Sequence, residues 1–198
     1  MDSIATILLA AGSSRRMGKE NKLLLSYRGY PIIQHQVNEI QKSSLNDCIV
    51  VLGHEAEKIS AVLPKKIKTV FNENHLSGMT SSIQKGIEAV EEKMKGFMIC
   101  LSDMPFVTSK DYDEIGQFFL KNIEKYPRLI VQPVYQHHRG HPVIFSSYYR
   151  KELLEHSAPE GCREIIRRNK KEVRQLDMKH PNILKDIDTP GDYQKVKS

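Results

Sequence analysis

The segment Leu9-Ala10-Ala11-Gly12-Ser13-Ser14-Arg15-Arg16-Met17-Gly18, followed by Lys22, has the composition of an anion site. Small residues and glycine let backbone N–H groups approach a phosphate, and Arg16 and Lys22 add positive charge. It fits neither common phosphate motif. GxGxxG needs a glycine two places after Gly12, where Ser14 stands. A P-loop ending at Gly18-Lys19 needs a glycine at Ser13 and a Ser or Thr at Glu20. A second feature, Leu101-Ser102-Asp103-Met104-Pro105, delivers a carboxylate from an apolar run into a proline-restrained turn. That suits a hard cation such as Mg²⁺, which takes one or two carboxylates plus phosphates and water. A third, Asp186-Ile187-Asp188-Thr189-Pro190, offers two more carboxylates. Asp188 reads either as a second ligand beside Asp103 or as the N-cap of a helix begun by Pro190. Finally, Gly78-Met79-Thr80-Ser81-Ser82 opens a helix with hydroxyls and free N–H groups. These suit a base, a ribose or a phosphate, or serve ordinary capping after Ser77.

Other chemistries lack their residues. His137, His138 and His141 crowd one loop without an HExxH pair, and there is no GxSxG elbow. The three cysteines, Cys48, Cys100 and Cys162, have no CxxC spacing. Cys48 and Cys100 sit in or beside apolar runs and read as buried free thiols, which points to a reducing compartment.

Strands alternating with helices must position these groups. Strands are expected at Ile4–Ala10, Cys48–Leu52, Ile67–Phe71, Phe97–Leu101, Leu129–Val134, Val143–Phe145, Val173–Leu176 and Ile183–Ile187. Helices are expected from Pro31, with an inner stripe Ile33, Val37 and Ile40, and over Glu55–Leu63, Met79–Met94 and Ser109–Tyr126. Ser109 reads as an N-cap, and Ser147–His156 and Gly161–Asn169 read as short helices, with a polar loop at His137–Pro142. Such alternation means βαβ units and an α/β fold: three α/β/α layers around a mostly parallel sheet in a single domain over residues 1–198. Right-handed crossovers then gather the C-terminal strand ends on one edge, where ligands bind. Lys22 falls in the loop before the Pro31 helix. Its truncation is expected to cost little stability, within about 0.5 kcal/mol.

The 198 residues carry 30 basic and 24 acidic side chains, a net charge of +6. Much of the excess lies at 163–174, which reads as a solvated helix face or a contact for a polyphosphate-bearing small ligand. With no Trp and no recognisable nucleic-acid motif, nucleic acid is not an expected partner. The longest nearly apolar run, Ile4–Ala11, is far short of the roughly 20 residues of a membrane span, so no membrane partner is expected. Asp2 and the early end of that run argue against an export signal, and a cytoplasmic location is expected.

In combination these residues resemble a family. Leu9–Gly18, Asn21-Lys22-Leu23-Leu24 and Gly29-Tyr30-Pro31 look like the opening of the MobA-like nucleotidyltransferases. Gly78–Ile83, Ser102–Pro105, Gly140-His141-Pro142-Val143 and Asp186–Pro190 are similar to the molybdenum cofactor cytidylyltransferases among them. The resemblance implies a Rossmann-like fold, Mg²⁺ as cofactor, and transfer of CMP from CTP to a molybdopterin-type cofactor, with a molybdoenzyme as recipient. By position, Ala10, Ala11, Gly12, Ser13 and Arg16 would hold the nucleotide, and Lys22 would neutralise its phosphates. Gly78, Met79, Ser81 and Ser82 would line the nucleoside. Asp103 would bind Mg²⁺ with Asp188 as second ligand or support. Gly140, His141, Pro142 and Arg163 would serve the pterin side. Where the subgroup often carries Gly-Asp-x-Gly-Ala-Arg, this chain has Ala158-Pro159-Glu160-Gly161-Cys162-Arg163, keeping Gly161 and Arg163. Ala11, in place of the glycine of guanylyl members, implies CTP over GTP.

Overall fold

A computed structural model describes residues 4–14, 17, 20–45 and 47–197. The chain runs β1 (Ile4–Ala10), a 3₁₀ turn (Lys22–Leu24), a small hairpin of β2 (Ser26–Tyr27) and β3 (Tyr30–Pro31), and α1 (Ile32–Lys42). Then come β4 (Cys48–Leu52), α2 (Ala56–Val62), β5 (Lys68–Phe71), a 3₁₀ turn (His75–Ser77) and α3 (Met79–Glu88). After β6 (Gly96–Leu101) and α4 (Ser109–Asn122) follow β7 (Ile130–Tyr135), β8 (His138–Arg139) and β9 (Val143–Ser146). The chain ends with α5 (Arg150–Glu155), α6 (Arg163–Arg168), β10 (Val173–Asp177) and α7 (Pro190–Gln194).

The main sheet has the order β10-β7-β9-β6-β1-β4-β5, with β8 paired to β7. β1 is flanked by parallel β4 and β6, and its side chains alternate between two cores. Ile4, Leu8 and Ala10 join the cluster formed with α1, α2 and α4. Ala5, Ile7 and Leu9 join the one formed with α3, α5 and α6. A period-2 strand buried on both faces reads as the unbroken apolar run at the start of the sequence. The three-layer, mostly parallel architecture is as expected. Cys48 and Cys100 are buried free thiols; burial pushes Cys48 up to about 12.

Two strands break the parallel pattern, β8 beside β7 and, more consequentially, β9. β9 runs antiparallel to both β6 and β7. Its N-terminal neighbours, Gly140 to Pro142, therefore reach the same edge as the C-terminal ends of β1 and β6.

Several element boundaries differ from expectation. α3 stops at Glu88 rather than Met94. Arg150 donates to the carbonyls of Ile87, Val90 and Glu91, so the terminal carbonyls are satisfied by a side chain instead of further turns. Val90 and Met94 still pack in the core from the turn that follows. α4 ends at Asn122, and its cap is Thr108, closed by a capping box with Asp111. The 137–142 loop contains β8, formed because Gln136 and His137 both adopt positive φ in a tight hairpin turn. Ile183–Ile187 is no strand. Pro181 starts a 3₁₀ turn there, and single bonds replace a ladder: His141 N–H donates to Ile183 O and Ile187 N–H to Asp103 O.

α3 packs closely on the sheet through Gly86. A methyl group there would stand 2.4 Å from Ile7 Cγ2 and 3.1 Å from Val51 Cγ2. Overpacking of this kind costs about 1–3 kcal/mol, while alanine's helix preference returns about 1. Gly86→Ala is expected to lower stability by up to roughly 2 kcal/mol in urea unfolding; a gain would show that the helix can shift without cost.

Candidate active site

The C-terminal ends of β1 and β6 open a cavity of about 690 Å³. Ala11, Gly12, Ser13, Lys22, Gly78, Met79, Ser82, Asp103, Arg163 and Asp188 line it, so most expected site residues converge. A methyl group on Gly12 would meet nothing within 4 Å. The space over that backbone is therefore open to a ligand. Arg16 lies outside the described residues.

Lys22 is the centre of the site. Its Nζ donates to Asp103 Oδ2 at 2.7 Å and to Asp188 Oδ1 at 2.6 Å. The side chain is only 13% exposed. Burial works against the ammonium, but Asp103 and Asp188 outweigh it and raise its pKa, so it is charged at neutral pH. Lys22 is thus no solvated loop side chain, contrary to expectation. Asn21 sets its turn: the Asn21 Oδ1 accepts from Leu23 N–H at 3.1 Å and from the Ser14 hydroxyl at 3.4 Å. Asp188 spends its carboxylate on Lys22 rather than on the last helix. Thr189 caps α7, in a capping box with Asp192.

Asp103 is clamped through its backbone and its neighbours. Ser102 Oγ donates to Leu9 O at 2.7 Å, and Ile187 N–H donates to Asp103 O at 2.8 Å. The Gln36 amide donates to Met104 O, and Tyr112 OH braces Gln36 Oε1 at 2.8 Å. Gln36 is fully buried on the inner stripe of α1. A polar residue in that stripe was the available signal, and the sequence reading passed over it.

The donor set fits a hard divalent cation. Asp103 Oδ1 is buried and finds no hydrogen-bond partner among the described residues. Asp186, a third carboxylate in the cavity, has its pKa raised by burial and by Asp188 and Asp103, with Lys22 opposing. Among the described residues no set of three metal-binding side chains is complete. Asp103 and Asp188 offer carboxylates of the kind that an ion shares with substrate phosphates.

Other expected residues take different roles. The first N–H of α3 is not free: Met79 N–H donates to Pro159 O at 3.1 Å. Thr80 Oγ1 donates to Ala158 O and accepts from Gly161 N–H at 3.0 Å. Gly78, at φ 118°, has no room for a side chain, since a methyl group would lie 2.7 Å from Pro159 O. Ser81 closes the turn onto Asn74 O and Gly78 O and does not line the cavity. Ala10 is buried in the core beneath the loop. His75 and Leu76 line the cavity although the sequence reading assigned them nothing; Leu76 is 74% exposed at its rim.

A second cavity of about 750 Å³ adjoins the first, sharing Met79, Leu101 and Arg163. Ile83, Ile99, Val143 and Phe145 form its apolar walls, with Arg139, Arg163, Arg167 and Lys170 around them. The basic stretch at 163–174 is therefore partly the lining of a cavity. Gly140 and His141 line it too, while Pro142 is buried and lines neither cavity. Burial lowers the His141 pKa, Asp103 raises it and Arg163 lowers it, leaving it below the ordinary value.

Residues 6–173 match the MobA-like NTP transferase domain. Nicotine blue oxidoreductase of Paenarthrobacter nicotinovorans is 26% identical over 199 residues, covering 94% of this chain and 92% of that one. The bifunctional protein GlmU of Thermoanaerobacter pseudethanolicus is 30% identical over 122 residues, 61% of this chain. The match spans 26% of GlmU, about a quarter of that relative's length. Rv0371c of Mycobacterium tuberculosis H37Rv superposes with a TM-score of 0.85 at 25% identity, covering 99% of this chain and 98% of its own. It has also been solved in complex with manganese. Molybdopterin-guanine dinucleotide biosynthesis protein A of Archaeoglobus fulgidus has the same fold, with a TM-score of 0.70 at 18% identity over 98% of this chain and 96% of its own. A family match over 6–173 and a fold shared end to end lead to one assignment: the chain belongs to the MobA-like NTP transferase family.

Proposed function

We propose that this protein is a Mg²⁺-dependent cytidylyltransferase. It moves CMP from CTP to the terminal phosphate of the molybdenum–molybdopterin cofactor and releases pyrophosphate. The observation that carries this reading is the pair of adjoining cavities. One presents Lys22 and three carboxylates to a triphosphate, and it continues past Met79, Leu101 and Arg163 into an apolar chamber edged by cations. A flat phosphorylated acceptor fits the second, and the Archaeoglobus neighbour, named for molybdopterin-guanine dinucleotide synthesis, supports the acceptor class. A molybdoenzyme would receive the product.

An oxygen of the acceptor phosphate attacks the α-phosphorus of CTP. A new P–O bond forms, the bond to the β-phosphate oxygen breaks, and pyrophosphate leaves. The attacking oxygen is already anionic, so the protein need supply no nucleophile or strong base. It supplies position and charge. Gly12 and Ser13 leave room for the phosphates over the loop backbone, with Lys22 as the cation beside them; Arg16 is assigned to the nucleotide by the resemblance alone. Arg163, on the boundary, faces both substrates. Asp103 and Asp188 would hold Mg²⁺, whose chemistry there is neutralisation of phosphate charge.

Preference for CTP is assigned to Ala11 by the resemblance. Ala11 lines the cavity, and its methyl is close to Gly53, where an added Cβ would come within 2.8 Å of it. The base thus meets a wall tightened from behind by the β4–α2 turn.

Asp103→Asn is expected to leave the fold intact while removing most Mg²⁺-dependent pyrophosphate release and weakening Mn²⁺ binding by titration; near-normal activity would reject the metal role. Lys22→Ala leaves two facing carboxylates without their ammonium. It should weaken nucleotide use about tenfold or more and cost on the order of 1.5–3 kcal/mol of stability, the scale of a charged hydrogen bond. Unchanged nucleotide kinetics would reject the phosphate role. In competition between equal CTP and GTP with molybdopterin as acceptor, CMP incorporation should predominate, and Ala11→Gly should move the ratio toward GMP. Predominant GMP transfer by the unaltered protein would make it a guanylyltransferase.

A further inference from the structure

Gln132 stands in the middle of β7, on the α3 side of the sheet between Ile130 and Val134. Every residue of β7 from 130 to 134 is buried, and Gln132 is 8% exposed. Its amide Oε1 is buried and finds no hydrogen-bond partner among the described residues. A core position that wanted only volume would hold an apolar residue, because an unpaired buried amide oxygen costs stability. Gln132 lines the second cavity, and so does His141, whose Nδ1 is also buried without a partner among the described residues. Two residues that each carry an unmatched buried polar atom therefore line one chamber whose other walls are Ile83, Ile99, Val143 and Phe145.

We infer that Gln132 is the specificity-determining residue of this chamber. Its amide oxygen accepts a hydrogen bond from a ring N–H of a flat nitrogen heterocycle seated between the apolar walls, while the cations around them meet the phosphate of the same molecule. The inference rests on the acceptor reading given above and extends it to one atom. A site built to hydrogen-bond its ligand rejects analogues that lack the matching group, since its own polar atom is then left unpaired. A purely apolar chamber would hold the ring without fixing its orientation, whereas one acceptor at depth fixes which edge points inward and hence where the phosphate emerges.

The test uses the full chain and measures equilibrium binding of a simple pterin, without metal or phosphate, by quenching of its own fluorescence. Gln132→Met is the main variant, with Gln132→Leu as second apolar variant and Gln132→Glu to restore an acceptor oxygen. We expect the apolar variants to bind the pterin at least tenfold more weakly, to bind CTP as the unaltered protein does, and to melt at the same or a higher temperature. Gln132→Glu should recover most of the pterin binding. A structural glutamine would instead lower the melting temperature and leave pterin affinity per folded molecule unchanged. Equal binding by Gln132→Met overturns the inference and leaves the acceptor reading standing, as does failure of both apolar variants to fold. If the unaltered protein binds no pterin but takes a sugar phosphate, the acceptor reading falls, and the assignment of Gln132 falls with it.

Discussion

One ammonium group ties the functional edge together. Lys22 bridges Asp103, 81 positions away, and Asp188, 166 positions away, so the loop after β1, the loop after β6 and the segment before α7 meet at a single nitrogen. Two carboxylates this close repel each other, and partial burial strengthens both that repulsion and its remedy. A cation between them is what lets the three segments coexist. Their supports follow from that need: Asn21 sets the turn of Lys22, Gln36 and Ser102 hold the Asp103 loop, and the Tyr193 hydroxyl donates to Ser26 O at 2.9 Å, docking α7 on the β2–β3 hairpin.

The parts of the molecule governed by local pattern were legible in the sequence. β1 and β4 stand out because a strand buried on both faces needs consecutive apolar residues, and α1 because Ile33, Val37 and Ile40 keep helical spacing. The meeting of Ala11, Gly12 and Asp103 was legible because parallel β1 and β6 send their C-terminal ends to one edge. What local pattern could not carry was the partner of each polar group. The end of α3 depends on Arg150, some 60 positions later, and the fate of its first N–H depends on Pro159. Asp188 and Thr189 are equally good caps in sequence; only the position of Lys22 decides between them.

The reversed strand β9 has a comparable importance at the level of the sheet. A parallel strand in that place would deliver its C-terminal end to the ligand edge and take Gly140 and His141 to the opposite one. Inserted antiparallel between β6 and β7, it brings Gly140 and His141 to the ligand edge, where they line the same chamber as Gln132 on β7. A single reversal thus gives one sheet two neighbouring cavities of unlike character, one dominated by charge and the other by apolar walls.

The loop at 158–161 holds the boundary between them. It is bonded to Met79 and Thr80 at the start of α3, it forbids a side chain at Gly78, and Met79 faces both cavities. The partition is therefore a party wall, with the same few atoms as the inner surface of two rooms. Bulk added to Met79 or to the loop that pins it cannot enlarge one room without shrinking the other. The sizes of the two cavities are set jointly, by one short stretch of chain.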